Sequence, residues 1–301
     1  MIVSASRRTD IPAFYATWLL NRLRDGFAYV RNPFRYRQIS KVTLDPEVVD
    51  CIVFWTKNPT PLLPYLTAIE EMGYRFYFQF TLTPYDQAIE RNVPDKALLI
   101  RTFQELAERI GPRRVVWRYD PIILSPELSM EKHVELFAQL AAELKGSCER
   151  CVISFLDFYA KTRRNTKGLQ LLPISEEDMQ ALGRALAAVA QAQQIQVFTC
   201  SEEVDLNQWG VAHGKCIDDG LIEGIVGRPI PAKKDKGQRV GCGCVESVDL
   251  GAYNTCLHQC LYCYANADHL AAAANWAEHD PASPLLHGQV TPEDQITVRR
   301  T

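Results

Sequence analysis

Residues 49–83 contain one complete unit of the fold that the chain repeats: VDCIVFW (49–55), PLLPYLTAIEEMG (61–73) and YRFYFQFTLT (74–83). The first and third segments are apolar almost throughout and rich in β-branched and aromatic residues, which is typical of strands that are buried on both faces. The middle segment has apolar residues at helical spacing and ends at Gly73. The stretch therefore predicts a strand, a helix and a second, parallel strand.

The same alternation runs through most of the chain. The further predicted strands are MIVSAS (1–6), RVVWRY (114–119), RCVISFLDF (150–158) and IQVFTC (195–200). The further predicted helices are PAFYATWLLNRLRD (12–25), DKALLIRTFQELAERIG (95–111), MEKHVELFAQLAAELKG (130–146) and SEEDMQALGRALAAVAQAQ (175–193). Six alternating strands and helices predict a parallel sheet with helices packed on it. FAYVRNPF (27–34) interrupts the first connection and predicts a small hairpin on the rim.

Two architectures contain such a sheet, a partly closed β/α barrel and an open, doubly wound sheet. An open sheet that binds dinucleotides has G-x-G-x-x-G after its first strand, whereas SRRTD (6–10) stands there in this chain. We therefore expect an α/β fold whose residues 1–227 form a partial, TIM-like (β/α)6 barrel. Residues 228–301 are expected to form an irregular, cysteine-rich tail folded over the carboxyl ends of the strands.

Composition restricts the class of protein. The chain has 301 residues, of which 47% are apolar, so it contains enough apolar side chains for a large core. The net charge of −3 does not indicate a protein that binds nucleic acid or a membrane through its overall charge. The first ten residues lack the apolar segment of a secretory signal, and no apolar run approaches the ~18 residues that span a bilayer. We therefore expect a cytoplasmic protein.

Polar residues follow each predicted strand. In a β/α barrel the carboxyl ends of the strands share one face, where active sites lie. Gln79, Arg118 and Asp120 interrupt apolar or aromatic runs, and burying them without partners would cost several kcal/mol. The sequence therefore predicts a polar, functional mouth at this face. Its residues are Ser6, Arg7, Arg8, Thr9, Asp10, Thr56, Lys57, Asn58, Gln79, Thr81, Thr83, Arg118, Tyr119, Asp120, Ser154, Asp157, Tyr159, Ser201, Glu202 and Glu203.

The tail contains CLHQCLYCYAN (256–266), in which three cysteines have the spacing C-x3-C-x2-C. These cysteines are Cys256, Cys260 and Cys263. Disulfides are uncommon in the cytoplasm, and clustered thiols there indicate a metal. A structural zinc takes four ligands, and the fourth would come from Cys242, Cys244 or His258. A 4Fe–4S cluster held by three cysteines would keep one iron open for another ligand.

The remaining cysteines fall into two sets. Cys200 ends the sixth predicted strand, Cys216 opens a predicted short helix, CIDDGLIEGIVG (216–227), and Cys242 and Cys244 form C-x-C. These four are candidates for a second metal site, either an auxiliary iron–sulfur cluster or zinc. The alternative is that Cys200 and Cys216 are buried small apolar residues. We expect structural roles for the other three, Cys51, Cys148 and Cys151.

The pattern C-x3-C-x-aromatic-C, with Tyr262 as the aromatic residue, resembles the signature of radical S-adenosylmethionine enzymes. In those enzymes the three cysteines hold a 4Fe–4S cluster whose open iron chelates the methionine part of the cofactor. Reductive cleavage then yields a 5′-deoxyadenosyl radical that abstracts hydrogen from a substrate. The resemblance implies that Cys256, Cys260 and Cys263 are the cluster ligands and that Tyr262 lies near the adenine. It also implies a six-unit partial barrel.

The chain as a whole resembles a bacterial family defined by domain of unknown function 1848. The segments that carry this resemblance are SASRRTDIPAFY (4–15), VFWTKNP (53–59), YFQFTLTPY (77–85), WRYDPI (117–122) and CGCVESVDLGAYNTCLHQCLYCYAN (242–266). Two features differ from ordinary radical enzymes. The cysteine loop follows the last strand and not the first, and WTKNP (55–59) replaces the Gly-Gly-Glu that often holds the cofactor's amino group.

The favoured hypothesis is a radical S-adenosylmethionine enzyme with a permuted cluster loop. Arg7, Arg8, Lys57 and Arg118 would bind a carboxylate of the cofactor or of an anionic small-molecule substrate. Asp120, Asp157 and Glu202 would hold the cofactor's amine or ribose, or transfer protons. Asp10 and Gln79 complete the candidate catalytic set. Thr56, Asn58 and Ser154, together with Tyr262, are the candidate cofactor-binding residues.

Two other hypotheses explain the same cysteines. The first is an iron–sulfur protein that transfers electrons or binds a ligand without cleaving a cofactor. The second is a β/α-barrel hydrolase or lyase with a structural zinc tail, for which the cysteines beyond the first three would complete a four-thiolate site. For the favoured hypothesis we expect a protein reductant such as ferredoxin or flavodoxin as a partner.

Overall fold

The structure, a computed structural model, describes residues 1–157, 160–239 and 241–299, with Ala160 and Lys161 described in their backbone alone. Tyr159, predicted at the mouth, lies outside the described residues. The strands are β1 (Ile2–Ala5), β2 (Phe27–Arg31), β3 (Gln38–Thr43), β4 (Cys51–Thr56), β5 (Phe76–Thr81), β6 (Val115–Ile122), β7 (Arg150–Phe155), β8 (Gln196–Thr199), β9 (Ala212–His213), β10 (Val248–Asp249) and β11 (Gln295–Val298). The α-helices are α1 (Ile11–Phe14), α2 (Ala16–Asp25), α3 (Leu66–Glu71), α4 (Lys96–Ile110), α5 (Met130–Glu143), α6 (Ala160–Asn165), α7 (Glu176–Ala192), α8 (Asp219–Val226) and α9 (His269–Ala277).

The main sheet of this α/β fold has eight strands in the order β10-β1-β4-β5-β6-β7-β8-β9, and all neighbouring pairs are parallel. The six predicted strands are confirmed as β1, β4, β5, β6, β7 and β8, and they lie side by side in chain order. The prediction of six strands was too low, because β9 and β10 add an edge strand at each side of the sheet. Each contains only two residues, too few for a recognisable period.

The two faces of this sheet bury different side chains. Ile52 and Phe54 of β4 belong to the large apolar core that also contains residues of α2, α3, α4, α5 and α7. Cys51 and Val53, which alternate with them, join a smaller cluster that includes Leu221 of α8. The crossover helices therefore pack on one face of the sheet, and the segment around α8 covers the other.

A second sheet has three strands in the order β11-β3-β2. Two of them, β2 and β3, belong to the connection between β1 and β4. Strand β2 falls within FAYVRNPF and pairs antiparallel with β3. The expected hairpin is therefore larger than the predicted segment. The tail contributes β11, which pairs parallel with β3. Polar residues occupy four of the six positions of β3 and two of the four positions of β11, so their sequences do not show the apolar runs of the main sheet.

The tail also packs along α2. Trp18 Nε1 donates to the carbonyl oxygens of Ser283 and Leu285 at 2.9 and 3.1 Å. Trp276 of α9 makes an edge contact with the ring of Tyr15, with ring centroids 5.2 Å apart. The tail, which was expected to be irregular, therefore contains a helix, α9, and packs on the first connection through α9 and the segment after it.

Several helix ends follow the residues that predicted them. Ser175 and Asp178 form a capping box at the start of α7. Gly227 ends α8 in the left-handed conformation with φ of 73°. His133 of α5 is fully buried and hydrogen-bonded to Tyr119 and Ile123. Among the described residues, no helix has the length and apolar character to span a membrane.

Candidate functional site

The carboxyl ends of the main-sheet strands border one cavity of about 450 Å³. A volume of this size is typical of pockets that hold small-molecule ligands. Ten of the predicted catalytic or cofactor-binding residues line the cavity. They are Arg7, Arg8, Asp10, Thr56, Lys57, Arg118, Asp120, Ser154, Asp157 and Tyr262. The strand ends therefore bring together residues that are as many as 255 positions apart in the sequence (262 − 7).

Three predicted site residues are not among those that line this cavity. Gln79 is buried and donates to the carbonyl oxygen of Cys216 at 2.8 Å. Asn58 accepts a hydrogen bond from the backbone of Thr60 at 3.2 Å, as a turn residue does. Glu202 accepts from the backbone of Phe155 at 3.0 Å, and burial raises its pKa to about 7.

The cysteine loop lies in the wall of the cavity, and Cys256, Cys260 and Cys263 all contribute to the lining. The backbone groups of His258 and Asp10 partly oppose the rise that burial causes in the pKa of Cys256. The N–H of Ala265 donates to the sulfur of Cys263 at 3.3 Å. Such donors stabilise thiolate charge, which a metal ligand carries.

The three thiols are close enough to affect one another's ionisation. Burial raises the pKa of Cys256, and negative charge on Cys263 raises it further. Burial also raises the pKa of Cys260, whereas the ammonium group of Lys57 opposes that rise. The thiolate forms repel one another, so a bound cation that neutralises their charge would favour those forms and stabilise the loop.

In the part of the chain that the structure describes, no three His, Cys, Asp or Glu side chains stand around a position that one metal ion could take. The ligands of a 4Fe–4S cluster do not need to meet at one point, since each thiolate binds a different iron. The three cysteines on one loop in the cavity wall provide the thiolate donors that such a cluster takes.

Glu90, which is not among the predicted site residues, connects the cysteine loop to the rim of the sheet. The buried carboxylate accepts from Lys57 and Thr83 at 2.7 Å, from Lys96 at 2.6 Å, and from the hydroxyl of Tyr262. Burial raises the pKa of Glu90, but the two ammonium groups lower it by more, to about 2. Glu90 is therefore an ionised anchor for the aromatic residue of the loop.

Asp10 also positions the loop. Its carboxylate caps α1 by accepting from Ala13 at 2.9 Å, and it accepts from the backbone of Lys57 at 2.7 Å. It also contacts Nε2 of His258 at 2.8 Å. These three contacts give the carboxylate a positioning role. Among the described side chains, Nδ1 of His258 is a buried nitrogen with no hydrogen-bond partner, as expected where a bound group completes a site.

Each of the four cations predicted to attract an anion has a carboxylate neighbour. Arg8 contacts Asp249 at 3.1 Å, and Arg7 lies 3.7 Å from Asp235. Lys57 contacts Glu90, and Arg118 forms two hydrogen bonds to Asp120. An anionic ligand would therefore compete with these carboxylates, which weakens the electrostatic case for one.

Asp249 attaches the start of the cysteine-rich tail to the first strand, and it too was absent from the predicted site. Its carboxylate accepts from Ser4 at 2.9 Å, from Ser6 at 2.6 Å, and from the backbone of Arg7 at 2.8 Å. Gly251 donates to the same carboxylate at 2.9 Å. Strand β10 thereby delivers the chain to the rim just before the cysteine loop begins.

Gly251→Ala is expected to disturb this attachment, because the added Cβ would lie 2.0 Å from Oγ of Ser6. Forcing a methyl group into such a packed contact costs roughly 1–3 kcal/mol. We expect the free energy of unfolding, measured by urea denaturation, to fall by that amount. Gly168→Ala is the matched control, since a Cβ there meets no atom within 4 Å. Equal stability of the two variants would contradict the close contact between the tail and β1.

The four other candidate metal ligands, Cys200, Cys216, Cys242 and Cys244, line the same cavity. The sulfur atoms of Cys200 and Cys216 are 3.1 Å apart. The remaining cysteines, Cys51, Cys148 and Cys151, are buried in the apolar clusters and do not line the cavity.

Comparison with known proteins supplies a family and no activity. The family model described as "Domain of unknown function (DUF1848)" matches residues 2–265. No curated protein matches the chain. Among solved structures, a "putative alpha-L-fucosidase" from Bacteroides thetaiotaomicron is similar at 12% identity over 55% of this chain and 68% of the other, with a TM-score of 0.25. A likeness at that level says nothing about the chemistry of this site.

Proposed function

Because the chain belongs to the DUF1848 family, whose description specifies no reaction, we propose a function from the site itself: an iron–sulfur enzyme of the radical S-adenosylmethionine type. The observation that carries the proposal is the position of the C-x3-C-x2-C loop. Its three cysteines line the same cavity as residues at the carboxyl ends of strands β1, β4, β6 and β7. A cluster on this loop would therefore face those strand-end residues.

The finer fold that we propose is a partial, TIM-like barrel of six β/α units with an iron–sulfur tail. Its support is the uninterrupted chain order of β1, β4, β5, β6, β7 and β8, without the reversal that a doubly wound sheet contains. The crossover helices share one apolar core on one face of the sheet, as they do around a barrel. The other face then becomes the barrel interior, which opens at the cavity.

The late position of the loop is compatible with this proposal. Strand β10 pairs with β1, so the chain returns to the rim immediately before the cysteines. Tyr264, which follows the last of them, donates from its hydroxyl to the carbonyl oxygen of Arg7 at 2.7 Å. A loop attached in this way would occupy the space beside the first strand that the resemblance assigns to the cluster loop.

The residues of the chain have three kinds of role in this proposal. Cys256, Cys260 and Cys263 would hold a 4Fe–4S cluster that, when bound, supplies the reductive cleavage of S-adenosylmethionine. Asp10 and Glu90 hold the loop in place, through His258 and Tyr262 respectively.

A ligand in the cavity would be contacted by Arg7, Arg8, Asp120 and Ser154, and also by Asp157. A protein donor such as ferredoxin or flavodoxin would supply the electron.

The test is anaerobic purification, reconstitution with iron and sulfide, reduction, and addition of S-adenosylmethionine. We expect a brown protein that releases 5′-deoxyadenosine, detected by chromatography. A brown protein that releases none would favour the electron-transfer or binding hypothesis. The proposal would be overturned in favour of a zinc tail if the protein were colourless, bound no iron, and contained zinc that is lost when Cys256, Cys260 and Cys263 are substituted.

A further inference from the structure

Four cysteines outside the C-x3-C-x2-C loop approach one another from three separate segments of the chain. Cys200 follows β8 and Cys216 precedes α8, whereas Cys242 and Cys244 belong to a Gly-Cys-Gly-Cys segment 26 positions later (242 − 216). Cys216, Cys242 and Cys244 belong to the small apolar cluster on the interior face of the sheet, and Cys200 packs against it. Nothing in the proposed function uses these four thiols.

The four thiols lie close together at one end of the cavity wall, which all four line. The sulfurs of Cys200 and Cys216 are 3.1 Å apart. The side chains of Cys216 and Cys242 both lower the pKa of Cys244, which indicates that they lie near it.

Two backbone contacts bring the segments that carry these cysteines together. Gly214 donates to the carbonyl oxygen of Thr199 at 2.8 Å, and a Cβ at position 214 would lie 2.9 Å from that oxygen. The absence of a side chain lets the segment before Cys216 lie directly against the end of β8. Val245 donates to the carbonyl oxygen of Ile217 at 3.2 Å. This hydrogen bond fixes the segment of Cys242 and Cys244 beside the segment of Cys216.

We propose that Cys200, Cys216, Cys242 and Cys244 bind one zinc ion in a four-thiolate structural site. Tetrahedral zinc with bonds of about 2.3 Å to sulfur holds its thiolates about 3.8 Å apart. The 3.1 Å contact between Cys200 and Cys216 is slightly shorter than that separation. A zinc ion would enter by spreading the sulfurs and rotating the side chains, since the thiols do not yet surround one point.

The same spacing argues against an iron–sulfur cluster here. In a 4Fe–4S cluster each thiolate binds a different iron, so the ligand sulfurs stand well beyond contact distance. The sulfurs of Cys200 and Cys216 are already in contact, which suits ligands of a single metal ion. The proposal is therefore distinct from the cluster proposed for Cys256, Cys260 and Cys263, and it stands or fails separately.

The surroundings provide partners for a negatively charged centre. Four thiolates and one zinc ion carry a net charge of −2, and buried negative charge needs donors and cations. The guanidinium of Arg118 donates to the sulfur of Cys216 at 2.8 Å, and the backbone of Ile217 donates to Cys244 at 3.4 Å. Gln79 and Tyr77 both donate to the carbonyl oxygen of Cys216, at 2.8 and 2.6 Å, and hold the loop in position. Such outer contacts are characteristic of metal ligands.

The test compares metal content in three purified full-length proteins: the unaltered chain, a Cys242→Ala/Cys244→Ala variant, and a Cys256→Ala/Cys260→Ala/Cys263→Ala variant. We expect about one zinc per chain in the unaltered protein and in the triple variant. We expect almost none in the double variant. X-ray absorption at the zinc edge should show four sulfur ligands in the unaltered protein and in the triple variant.

A milder variant keeps the proposal testable if the double variant does not fold. Cys242→Ser should lower zinc affinity strongly in a competition with a chromogenic chelator, whereas Cys148→Ser should leave it unchanged. Zinc that disappears in the triple variant but persists in the double variant would overturn the proposal. So would iron in place of zinc at the four cysteines, or a disulfide between Cys200 and Cys216 in protein purified under reducing conditions.

Discussion

The Cys260→Ala variant is expected to lose nearly all of the cluster iron that the unaltered protein binds after anaerobic reconstitution. Cys260 is the most deeply buried of the three loop cysteines, at 6% exposure, and Lys57 places positive charge beside it. Two remaining thiolates leave two irons of a 4Fe–4S cluster without a protein ligand. Iron and sulfide assays and the visible absorption of the reconstituted protein measure the loss.

Cys148→Ala is the matched control for that experiment. Cys148 is also buried, at 3% exposure, but it does not line the cavity. We expect the control variant to bind as much iron as the unaltered protein. Undiminished iron in Cys260→Ala would show that the loop does not hold the cluster.

The Glu90→Ala variant is expected to be less stable by about 3–5 kcal/mol, the usual consequence of removing one partner from a buried ion pair. Glu90 is 1% exposed and accepts from two ammonium groups and two hydroxyls. Its removal leaves Lys57 without the carboxylate that compensates its burial and frees the hydroxyl of Tyr262. The free energy of unfolding from urea denaturation gives the size of the effect.

Two further variants make that result specific. Glu105→Ala removes a half-exposed carboxylate paired with Arg109, and such surface pairs contribute about 0–1 kcal/mol. Glu90→Gln keeps one acceptor oxygen, replaces the other with an amide NH2 group and removes the charge, so we expect an intermediate loss. A Glu90→Ala variant as stable as Glu105→Ala would contradict the role of Glu90 as the anchor of the loop.

The main sheet could be predicted because its central strands are continuous apolar runs separated by helices with recognisable ends. Cys51–Thr56 and Phe76–Thr81 show this clearly. The edge strands β9 and β10 could not be predicted, since two residues carry no pattern and their pairing depends on where distant loops arrive.

The site was predictable to the extent that it follows from strand order. Residues after parallel strands must meet at one end of the sheet, and most of those predicted there line the cavity. Gln79 and Arg118 were predicted from the cost of burying polar groups in apolar runs. Both contact Cys216: Gln79 donates to the carbonyl oxygen of Cys216, and Arg118 donates to its sulfur.

The residues that sequence reasoning missed connect positions far apart in the chain. Glu90 binds Tyr262 across 172 residues, and Asp249 binds Ser6 across 243. Each acidic residue has an ordinary sequence context, and its importance depends on which segment packs on it. An acidic residue next to an apolar run, as in DQAIERN (86–92), is more often a surface residue, so no local signal would have identified Glu90.

The most direct test of the central claim is the electron paramagnetic resonance spectrum of the reduced protein with and without S-adenosylmethionine labelled at its methionine amine nitrogen. An open iron on the loop of Cys256, Cys260 and Cys263 predicts a changed spectrum and a hyperfine coupling to the labelled nitrogen. The Cys148→Ala variant should give the same change. An unaltered spectrum in protein that contains a full 4Fe–4S cluster would contradict the claim that this cavity binds S-adenosylmethionine at an open iron.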